Sequence, residues 1–317
     1  MQKKISIVMC TYNGEKYIKQ QLNSLVNQTY KIFEVIVQDD CSKDNTIKIV
    51  KEFENNLPLK IYINKENIGF NKNFEEAILK SNGDFIALCD QDDVWENNKL
   101  QILIEEIGDS TLIYSNSLLV DSQLNSLNKT LKDRLKIDFI SSFSAVNFLF
   151  NNCVSAHSML FKKELLEYVR IPENFYFDEY IAAVAASLNG VKYIDKNLVL
   201  YRQHDSNALK KDDSDVKFLE KTIKRSKLNK KLFNNNKQLL KIKEILKLEI
   251  ICEKDKQILK KLKEFYEDYE NRFFSIKMFV FLFKNKQHIF TMIKGNKISK
   301  CFTKSFGYKF YKLVAFK

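Results

Sequence analysis

The first ninety residues alternate between strand-like apolar runs and amphipathic segments, and this alternation constrains the fold more than any other feature. The strand-like runs lie at 5–10, 33–38, 59–64 and 84–89. The segments between them place apolar residues at helical spacing, at 14–28, 42–56 and 69–81. Because apolar strands that alternate with helices form a parallel sheet covered on both faces, the sequence predicts an α/β domain.

Polar residues directly follow each predicted strand. They are Thr11, Tyr12 and Asn13 after the first strand, Asp39 and Asp40 after the second, 64–67 after the third, and Asp90, Asp92 and Asp93 after the fourth. In such sheets, ligands bind beyond the carboxyl ends of the strands. We therefore expect the chemistry of the protein to lie at this edge.

The segment "IALCDQDDVW" (86–95) leads a buried strand into three carboxylates. Carboxylates this close repel one another and resist desolvation, unless a cation lies on them. Mg²⁺ and Mn²⁺ take such oxygen ligands and commonly bridge them to substrate phosphates. A solvated turn that caps the next helix is the alternative, but the position after three strand–helix units favours a Mn²⁺ or Mg²⁺ site.

Residues 97–207 follow a less regular pattern. We predict strands at 111–120, 157–161 and 191–204, helices at 162–169 and 178–190, and a helix followed by a loop over 131–153. Asp178 and Glu179 begin the helix at 178–190, where acidic residues also suit the helix dipole. The region 208–270 is rich in Lys, Glu and Leu and predicts at least two helices, one of them a long helix over 239–265.

The net charge of +12 is concentrated at one end of the chain. No Asp or Glu follows Glu270, whereas residues 271–317 contain eleven Lys or Arg side chains interleaved with Phe and Tyr. This composition favours an anionic membrane surface as partner. The alternatives are single-stranded nucleic acid, which we do not expect, and a helical subdomain with its own aromatic core and solvated lysines.

The six cysteines form no CxxC pair, and several lie in apolar runs, which predicts buried thiols in a reducing cytosol. The start "MQKKISIVMCTYNG" has too short an apolar segment for a signal peptide. No uninterrupted apolar run reaches the roughly 20 residues of a spanning helix. We therefore expect a cytoplasmic protein, peripheral on the inner face of the cytoplasmic membrane.

Several motifs in series resemble those of the family 2 glycosyltransferases, in particular the bacterial rhamnosyltransferase-like and polysaccharide-biosynthesis members. They are "ISIVMCTYNGEKYIKQQLNSLVNQTY", "VIVQDDCSKDNT", "NKENIGFNKNFEEAI", "GDFIALCDQDDVW" and "YRQHDSN" (201–207). The resemblance implies a Rossmann-like, glycosyltransferase A-type nucleotide-sugar domain over 1–207, with a nucleotide-binding half (1–96) and an acceptor half (97–207). A helical region (208–270) and the basic aromatic tail (271–317) follow as a C-terminal appendage.

The resemblance also implies a set of nucleotide-sugar contacts. Asp40 matches the carboxylate that reads the pyrimidine edge, which implies a UDP- or dTDP-sugar as donor. The other implied contacts are Thr11, Tyr12, Asn13, Glu15, Asn67, Gly69, Asn73, Asp90 and Arg202.

The acid cluster matches the metal motif of the family, with Mn²⁺ or Mg²⁺ bridging to the diphosphate. We favour Asp92 and Asp93 as direct ligands, and Asp90 nearer the ribose or supporting the loop. His204 matches the late element that closes over the diphosphate, and its imidazole is the third predicted ligand.

The catalytic base implied by the resemblance is Asp178, with the adjacent Glu179 as the alternative. Such a carboxylate takes the proton of the acceptor hydroxyl. We place Trp95 and His157 on the acceptor side, although His157 fits an ordinary polar loop residue equally well. The chain departs from the family pattern where Cys41 replaces a glycine and where residues 156–157 lack one.

The sequence therefore predicts an inverting, metal-dependent glycosyltransferase that acts on a glycan or lipid-linked glycan in bacterial surface polysaccharide synthesis. The alternative is a non-catalytic basic scaffold that binds membrane or nucleic acid through its tail. A nucleotidyl- or phosphosugar-handling enzyme would need a phosphate loop after the first strand, and "CTYNGEKY" lacks the glycine density for one.

Overall fold

The computed structural model describes residues 2–204 and 223–315, with side chains described up to 204 and from 233 to 313. Residues 205–222 lie outside the described part of the chain. They include the end of the "YRQHDSN" motif and the start of the predicted helical region at 208–270.

Nine strands within the described residues form one mixed sheet. They are β1 (Ile5–Thr11), β2 (Glu34–Asp39), β3 (Leu59–Ile63), β4 (Phe85–Cys89), β5 (Val94–Trp95), β6 (Leu112–Val120), β7 (Ser126–Thr130), β8 (Met159–Lys162) and β9 (Val191–Arg202). The order is β3-β2-β1-β4-β8-β6-β9-β5, and β7 pairs with β6. The pairs among β1 to β4 are parallel, as predicted, whereas β8 is antiparallel to both of its neighbours.

The helices that belong with this sheet are short. They are α1 (Ile18–Val26), α2 (Thr46–Lys51), α3 (Phe70–Leu79), α4 (Lys99–Glu106), α5 (Leu131–Leu135) and α6 (Phe177–Ser187). The predicted helix at 162–169 is instead a 3₁₀ segment over Lys163–Tyr168. Ser42, the first residue of the predicted helical segment at 42–56, lies before α2, and its backbone N–H and hydroxyl both donate to the Asp39 carboxylate.

Burial on both faces explains why the predicted strands read as continuous apolar runs. β1 lies between β2 and β4, with Ile7 beside Val35 and Ala87 in one apolar cluster that also contains Leu22 of α1. Val8, which points to the opposite face, is also 0% exposed. Packing on both faces fixes the register of β1 against its neighbours, since a slip of one residue would move every β1 side chain to the opposite face of the sheet.

A buried carboxylate at the start of β2 ties the parallel strands together. Glu34 accepts hydrogen bonds from Ser6 Oγ of β1 at 2.6 Å, from Lys60 Nζ of β3 at 2.7 Å and from Asn82 N before β4 at 2.6 Å. Burial alone would raise the pKa of Glu34, but these hydrogen bonds outweigh it and lower the pKa. Ionised Glu34 therefore stabilises the fold.

Replacing Glu34 should destabilise the protein, because Ser6 and Asn82 would lose a buried acceptor. We expect Glu34→Ala to lower the free energy of unfolding by about 3 kcal/mol, measured by urea denaturation at pH 7. The difference in unfolding free energy between Glu34→Ala and the native protein should shrink as the pH falls below about 4.3, the pKa of an unfolded Glu. A carboxylate whose pKa is lowered by folding stabilises the folded state above that pH, and this contribution is lost as the pH falls through the folded-state pKa. The exposed Glu54→Ala is the matched control, and an equal loss there would contradict the assignment.

A second compact unit comprises residues 136–138, 144–151 and the described residues after 203, and the sheet unit comprises 2–135, 139–143 and 152–203. Its helices are α7 (Ile223–Leu246), α8 (Glu253–Glu267), α9 (Ile276–Lys284), α10 (Lys286–Ile289), α11 (Lys297–Ser305) and α12 (Tyr308–Ala315). The predicted single helix over 239–265 is wrong. The chain leaves the helix between Leu246 and Glu253, and α7 contacts α8.

The basic tail folds into helices within this second unit. Phe306 lies at its centre, with ring centroids 4.8 Å from Phe274, 5.0 Å from Phe302 and 4.0 Å from Phe310. Part of the aromatic content of the segment therefore packs against itself, as expected for a helical subdomain, which was one of the alternatives for this segment. No helix in the described residues is long and apolar enough to cross a membrane.

All six cysteines are free thiols. Cys89, Cys153 and Cys301 are buried, as predicted, whereas Cys252 is exposed.

Candidate active site

The carboxyl ends of β1 and β2 meet in a hydrogen-bonded loop network. Thr11 Oγ1 donates to Asp39 Oδ1 at 2.7 Å, and Ser42 Oγ accepts from Asn13 N at 2.8 Å. Asn13 has a positive φ of 46° and accepts a hydrogen bond from Lys43 N. Thr11 and Asn13, two of the predicted nucleotide-sugar contacts, thus lie beside the loop that follows β2, as expected for the ends of neighbouring parallel strands.

Glu15 and Tyr12 anchor the same loop from either side. Glu15 Oε2 accepts hydrogen bonds from the backbone and side-chain nitrogens of Asn45, both at 2.9 Å. Tyr12 exchanges backbone hydrogen bonds with the side chain of Gln91, while 47% of its surface is exposed. Gln91 lies between the acids of "DQDD", so this contact joins the first strand end to the acid cluster.

Asp40 holds the loop before α3. Its carboxylate accepts from Ile68 N at 2.8 Å, from Gly69 N at 2.9 Å and from Asn64 Nδ2 at 2.8 Å. Gly69 has a φ of +83°, a conformation that favours glycine. Asp40 therefore has a structural part here, and its contact with a pyrimidine base stays a prediction.

The two Asn side chains predicted for the nucleotide pocket differ in exposure. Asn73 is 2% exposed and bridges Gln38 O and Asn64 Nδ2. Asn67 lies in the loop itself, where its amide donates to Asp40 O and accepts from Gly69 N. Asn73 thus has a structural part, since its side chain is enclosed by protein and holds Asn64 in the loop after β3.

Asp93 is a fully buried carboxylate with an unsatisfied oxygen. Its Oδ1 accepts a hydrogen bond from Arg202 N at 3.0 Å, whereas Oδ2 has no hydrogen-bond partner among the described residues. Burial, followed by the charges of Asp92 and Asp90, raises the pKa of Asp93 well above its usual range. A lone buried carboxylate is costly, so this oxygen needs a proton or a cation.

An imidazole from another part of the chain faces this oxygen. His157 Nδ1 lies 3.6 Å from Asp90 Oδ2 and 3.7 Å from Asp93 Oδ2. On its other side, Nε2 lies 2.9 Å from Ser117 Oγ, and the ring stacks on Tyr201 at 4.4 Å. With the Nε2 proton donated to Ser117, the lone pair of Nδ1 points at the acids, which is how a metal-binding histidine is oriented.

The donor set fits a divalent cation. Within the described residues, Asp90, Asp93 and His157 form the group of His, Cys, Asp and Glu side chains whose ligand atoms lie within 4.8 Å of one another. Two carboxylates and an imidazole suit Mn²⁺ or Mg²⁺, and the buried Asp93 Oδ2 supplies an oxygen without a partner. Asp92 and His204 stand outside this group, and their part as ligands stays a prediction.

Arg202 braces the acid loop in this structure. Its guanidinium is 0% exposed and donates to Asp92 O at 2.6 Å, to Ser122 O at 2.7 Å and to Gln20 Oε1 at 2.6 Å. These three hydrogen bonds give Arg202 a structural part, and its contact with the nucleotide-sugar stays a prediction.

Lys99 is a buried cation that the sequence analysis missed. Its ammonium lies 3.2 Å from the centroid of the Trp95 ring and donates to His157 O at 2.5 Å. Burial lowers its pKa to about 7. Trp95 is itself 2% exposed beneath Lys99, so its predicted place on the acceptor side is not supported. No local pattern marks this pair, because Trp95 lies in β5 and Lys99 begins α4.

Asp178 lies in the first turn of α6, with Glu179 beside it. Burial, the charge of Glu179 and the charge of Asp90 raise the pKa of Asp178 to about 7. Among these causes, burial has the largest effect on the pKa of Asp178. A carboxylate with a pKa near neutrality has the proton affinity that suits a general base.

The family is established by comparison of the sequence with known proteins. Residues 6–169 match the profile of Glycosyl transferase family 2. The dTDP-rhamnosyl transferase RfbG of Shigella flexneri is 30% identical over 218 residues, which cover 63% of this chain and 73% of that protein. The GalNAc(5)-diNAcBac-PP-undecaprenol beta-1,3-glucosyltransferase of Campylobacter jejuni is 27% identical over 201 residues, which cover 63% of this chain and 64% of that protein.

A solved structure agrees with the fold. TarS residues 1–349 of Staphylococcus aureus, in complex with UDP-GlcNAc, superimpose with a TM-score of 0.61 at 19% identity, covering 98% of this chain and 90% of that chain. The chain therefore belongs to glycosyltransferase family 2 and has the glycosyltransferase A-type fold with a C-terminal helical region. It is a glycosyltransferase, which confirms the predicted enzyme class and fold.

The imidazole that binds the metal can be identified by comparing variants of the two candidate histidines. We expect His157→Ala and Asp93→Asn each to weaken Mn²⁺ binding at least tenfold, because each removes a member of the buried group, while His204→Ala changes it less. Isothermal titration with Mn²⁺ measures the affinity.

Asp109→Asn, which removes an exposed acid, is the control for general charge loss. Loss of Mn²⁺ binding in His204→Ala with retention in His157→Ala would contradict the grouping and favour the ligand set that the motif implies.

Proposed function

We propose that this glycosyltransferase is an inverting, metal-dependent enzyme. It would move a sugar from a UDP- or dTDP-sugar to a hydroxyl of a glycan or lipid-linked glycan in bacterial surface polysaccharide synthesis. The observation that carries the proposal is the group of Asp90, Asp93 and His157 beyond β4. This edge of a parallel sheet is where such folds bind ligands.

The acid cluster would hold Mn²⁺ or Mg²⁺ through Asp90, Asp93 and His157. A bound divalent ion supplies Lewis-acid neutralisation of the charge that develops on a departing nucleoside diphosphate. The protein contributes the orientation of this group. Ser117 orients the imidazole, Arg202 fixes the Asp93 loop, and Lys99 holds the backbone of His157.

The donor class rests on the predicted part of Asp40 and on the relatives. Asp40 matches the family carboxylate that reads a pyrimidine, and uridine and thymidine share that edge. The Shigella relative is named for a dTDP-sugar, and the TarS structure contains UDP-GlcNAc. The Campylobacter relative is named for an acceptor joined to undecaprenol, which supports a lipid-linked acceptor here.

Inversion needs one displacement and one base. The acceptor hydroxyl oxygen attacks the anomeric carbon, the bond from that carbon to the diphosphate oxygen breaks, and the hydroxyl proton passes to the carboxylate of Asp178. Glu179, the alternative base, is 7% exposed, whereas the Asp178 side chain is half-buried. The greater exposure of Asp178 favours it as the group that meets substrate.

The proposal is tested by turnover of purified protein with UDP- and dTDP-sugars, with Mn²⁺ or with EDTA. We expect one donor class to be hydrolysed or transferred only with the metal. Asp178→Asn should lower kcat by about 10²- to 10⁴-fold while the dissociation constant of the nucleotide changes less than threefold.

Glu179→Gln serves as the matched neighbour in that assay and should retain more activity than Asp178→Asn. Near-native kcat in Asp178→Asn would remove it as the base. Full function of Asp93→Ala in the cell would argue against a metal held by this carboxylate.

We also propose that the second unit binds an anionic membrane surface. Ile276, Val280 and Phe283 recur at helical spacing on α9 and are 71%, 42% and 39% exposed. On the contacting helix α11, Ile298 and Phe302 are 46% and 50% exposed. Lysines alternate with these side chains, and the segment contains no acid. Exposed apolar side chains among lysines suit the boundary of anionic lipid headgroups.

Polar substitutions on this face should release the protein from lipid. We expect the double variant Ile276→Asn, Val280→Asn to co-sediment at least tenfold less with phosphatidylglycerol-containing vesicles, because both side chains would leave the bilayer boundary. Leu127→Asn, Leu135→Asn alters exposed apolar side chains of the sheet unit and is the control. Equal lipid binding by both double variants would refute this surface, and preferential binding of single-stranded nucleic acid would favour the other polyanion.

A further inference from the structure

A groove of about 540 Å³ runs along the outer face of α3. Its walls come from α3 and from the segment before α6, both within the sheet unit. The residues that matter for its chemistry are Phe70, Asn71, Lys72, Glu75, Glu76 and Glu173. None of the residues assigned above to the metal group or to the base lines it, whereas Gly69, one of the predicted nucleotide-sugar contacts, lies at its edge.

Asn71 joins this groove to the helix that carries the proposed base. Its Nδ2 donates to Phe175 O at 2.8 Å, and its Oδ1 accepts from Phe177 N at 3.1 Å. The backbone on both sides of Tyr176 is therefore fixed to α3. Since Asp178 follows Phe177 in the chain, this end of the groove lies close to the first turn of α6, which carries the proposed base.

An exposed pair of aromatic rings marks the same end. Phe70 and Tyr176 are 49% and 43% exposed, and their rings lie 6.0 Å apart at an interplanar angle of 24°. Phe177 supports them from below and stacks on Phe74 at 4.2 Å. Partly exposed aromatic surface can mark a binding site. Flat rings match the apolar C–H faces of a sugar.

The charged side chains along the groove indicate an uncharged ligand. Three carboxylates, Glu75, Glu76 and Glu173, face one ammonium, Lys72. Carboxylates accept hydrogen bonds from hydroxyl groups and repel phosphate or carboxylate groups. The net negative lining therefore suits a polyhydroxylated chain and disfavours a polyanionic one.

We propose that this groove is the acceptor subsite and that it binds a neutral glycan, with the sugar nearest the reaction centre stacked on Phe70 and Tyr176. This inference rests on the proposed function, because it assigns the acceptor of that reaction. It adds the substrate class: the acceptor is an uncharged oligosaccharide and not a phosphate-containing polymer. Phe70 and Tyr176 are specificity residues, and Asn71 is a positioning residue.

The test measures binding of a panel of neutral trisaccharides, with poly(glycerol phosphate) as the anionic comparison, to the full chain by saturation-transfer NMR titration. We expect at least one neutral trisaccharide to bind. Tyr176→Ala should weaken that binding at least tenfold, whereas Tyr176→Phe, which keeps the ring, should stay within twofold. Phe143→Ala, which removes another exposed aromatic ring of the sheet unit, should bind as the native protein does.

Binding of UDP and dTDP to each variant separates this inference from the proposed function. Nucleotide affinity should be unchanged in Tyr176→Ala, because the ring belongs to the acceptor side. Unchanged glycan binding in Tyr176→Ala, or preferred binding of the phosphate polymer, would overturn the subsite while donor turnover still supported the enzyme. Absence of any metal-dependent donor turnover by the native protein would instead overturn the proposed function.

Discussion

The hydrogen bond from the Arg202 backbone to the buried carboxylate of Asp93 organises this end of the molecule. It joins the end of β9 to the acid loop beyond β4 across 109 positions of sequence, and the Arg202 guanidinium holds the same loop through Asp92 O. A carboxylate with only one satisfied oxygen would be costly in a core of this kind. This unfavourable burial of the Asp93 carboxylate occurs where a cation would bind, which is the pattern expected of a functional site.

Support for the imidazole comes from several layers. Ser117 of β6, Tyr201 of β9 and Lys99 of α4 each contact His157, although these elements are distant in sequence. The catalytic edge is therefore built from both the parallel and the antiparallel parts of the sheet. Substitutions of Ser117 in β6 or Tyr201 in β9 would change how the His157 ring is oriented toward Asp90 and Asp93.

The local pattern of the sequence was sufficient for the first half of the sheet. β1 to β4 and the polar edge that follows them were predictable, because continuous apolar runs and helical spacing are properties of neighbouring residues. The break between α7 and α8 was not predictable in this way, since residues 239–265 contain neither Gly nor Pro and have helical periodicity throughout. Packing of α8 against α7 decides that turn.

The sequence by itself determined the family, the parallel strand–helix units and the placement of acids at the end of β4. Only the tertiary structure decided which imidazole faces those acids, because β8 pairs between β4 and β6 and so brings the turn that carries His157 to the end of β4. It likewise decided that Arg202 and Trp95 are enclosed and that Phe70 and Tyr176 are open. Strand order and burial depend on pairings between distant segments, which no local pattern of residues encodes.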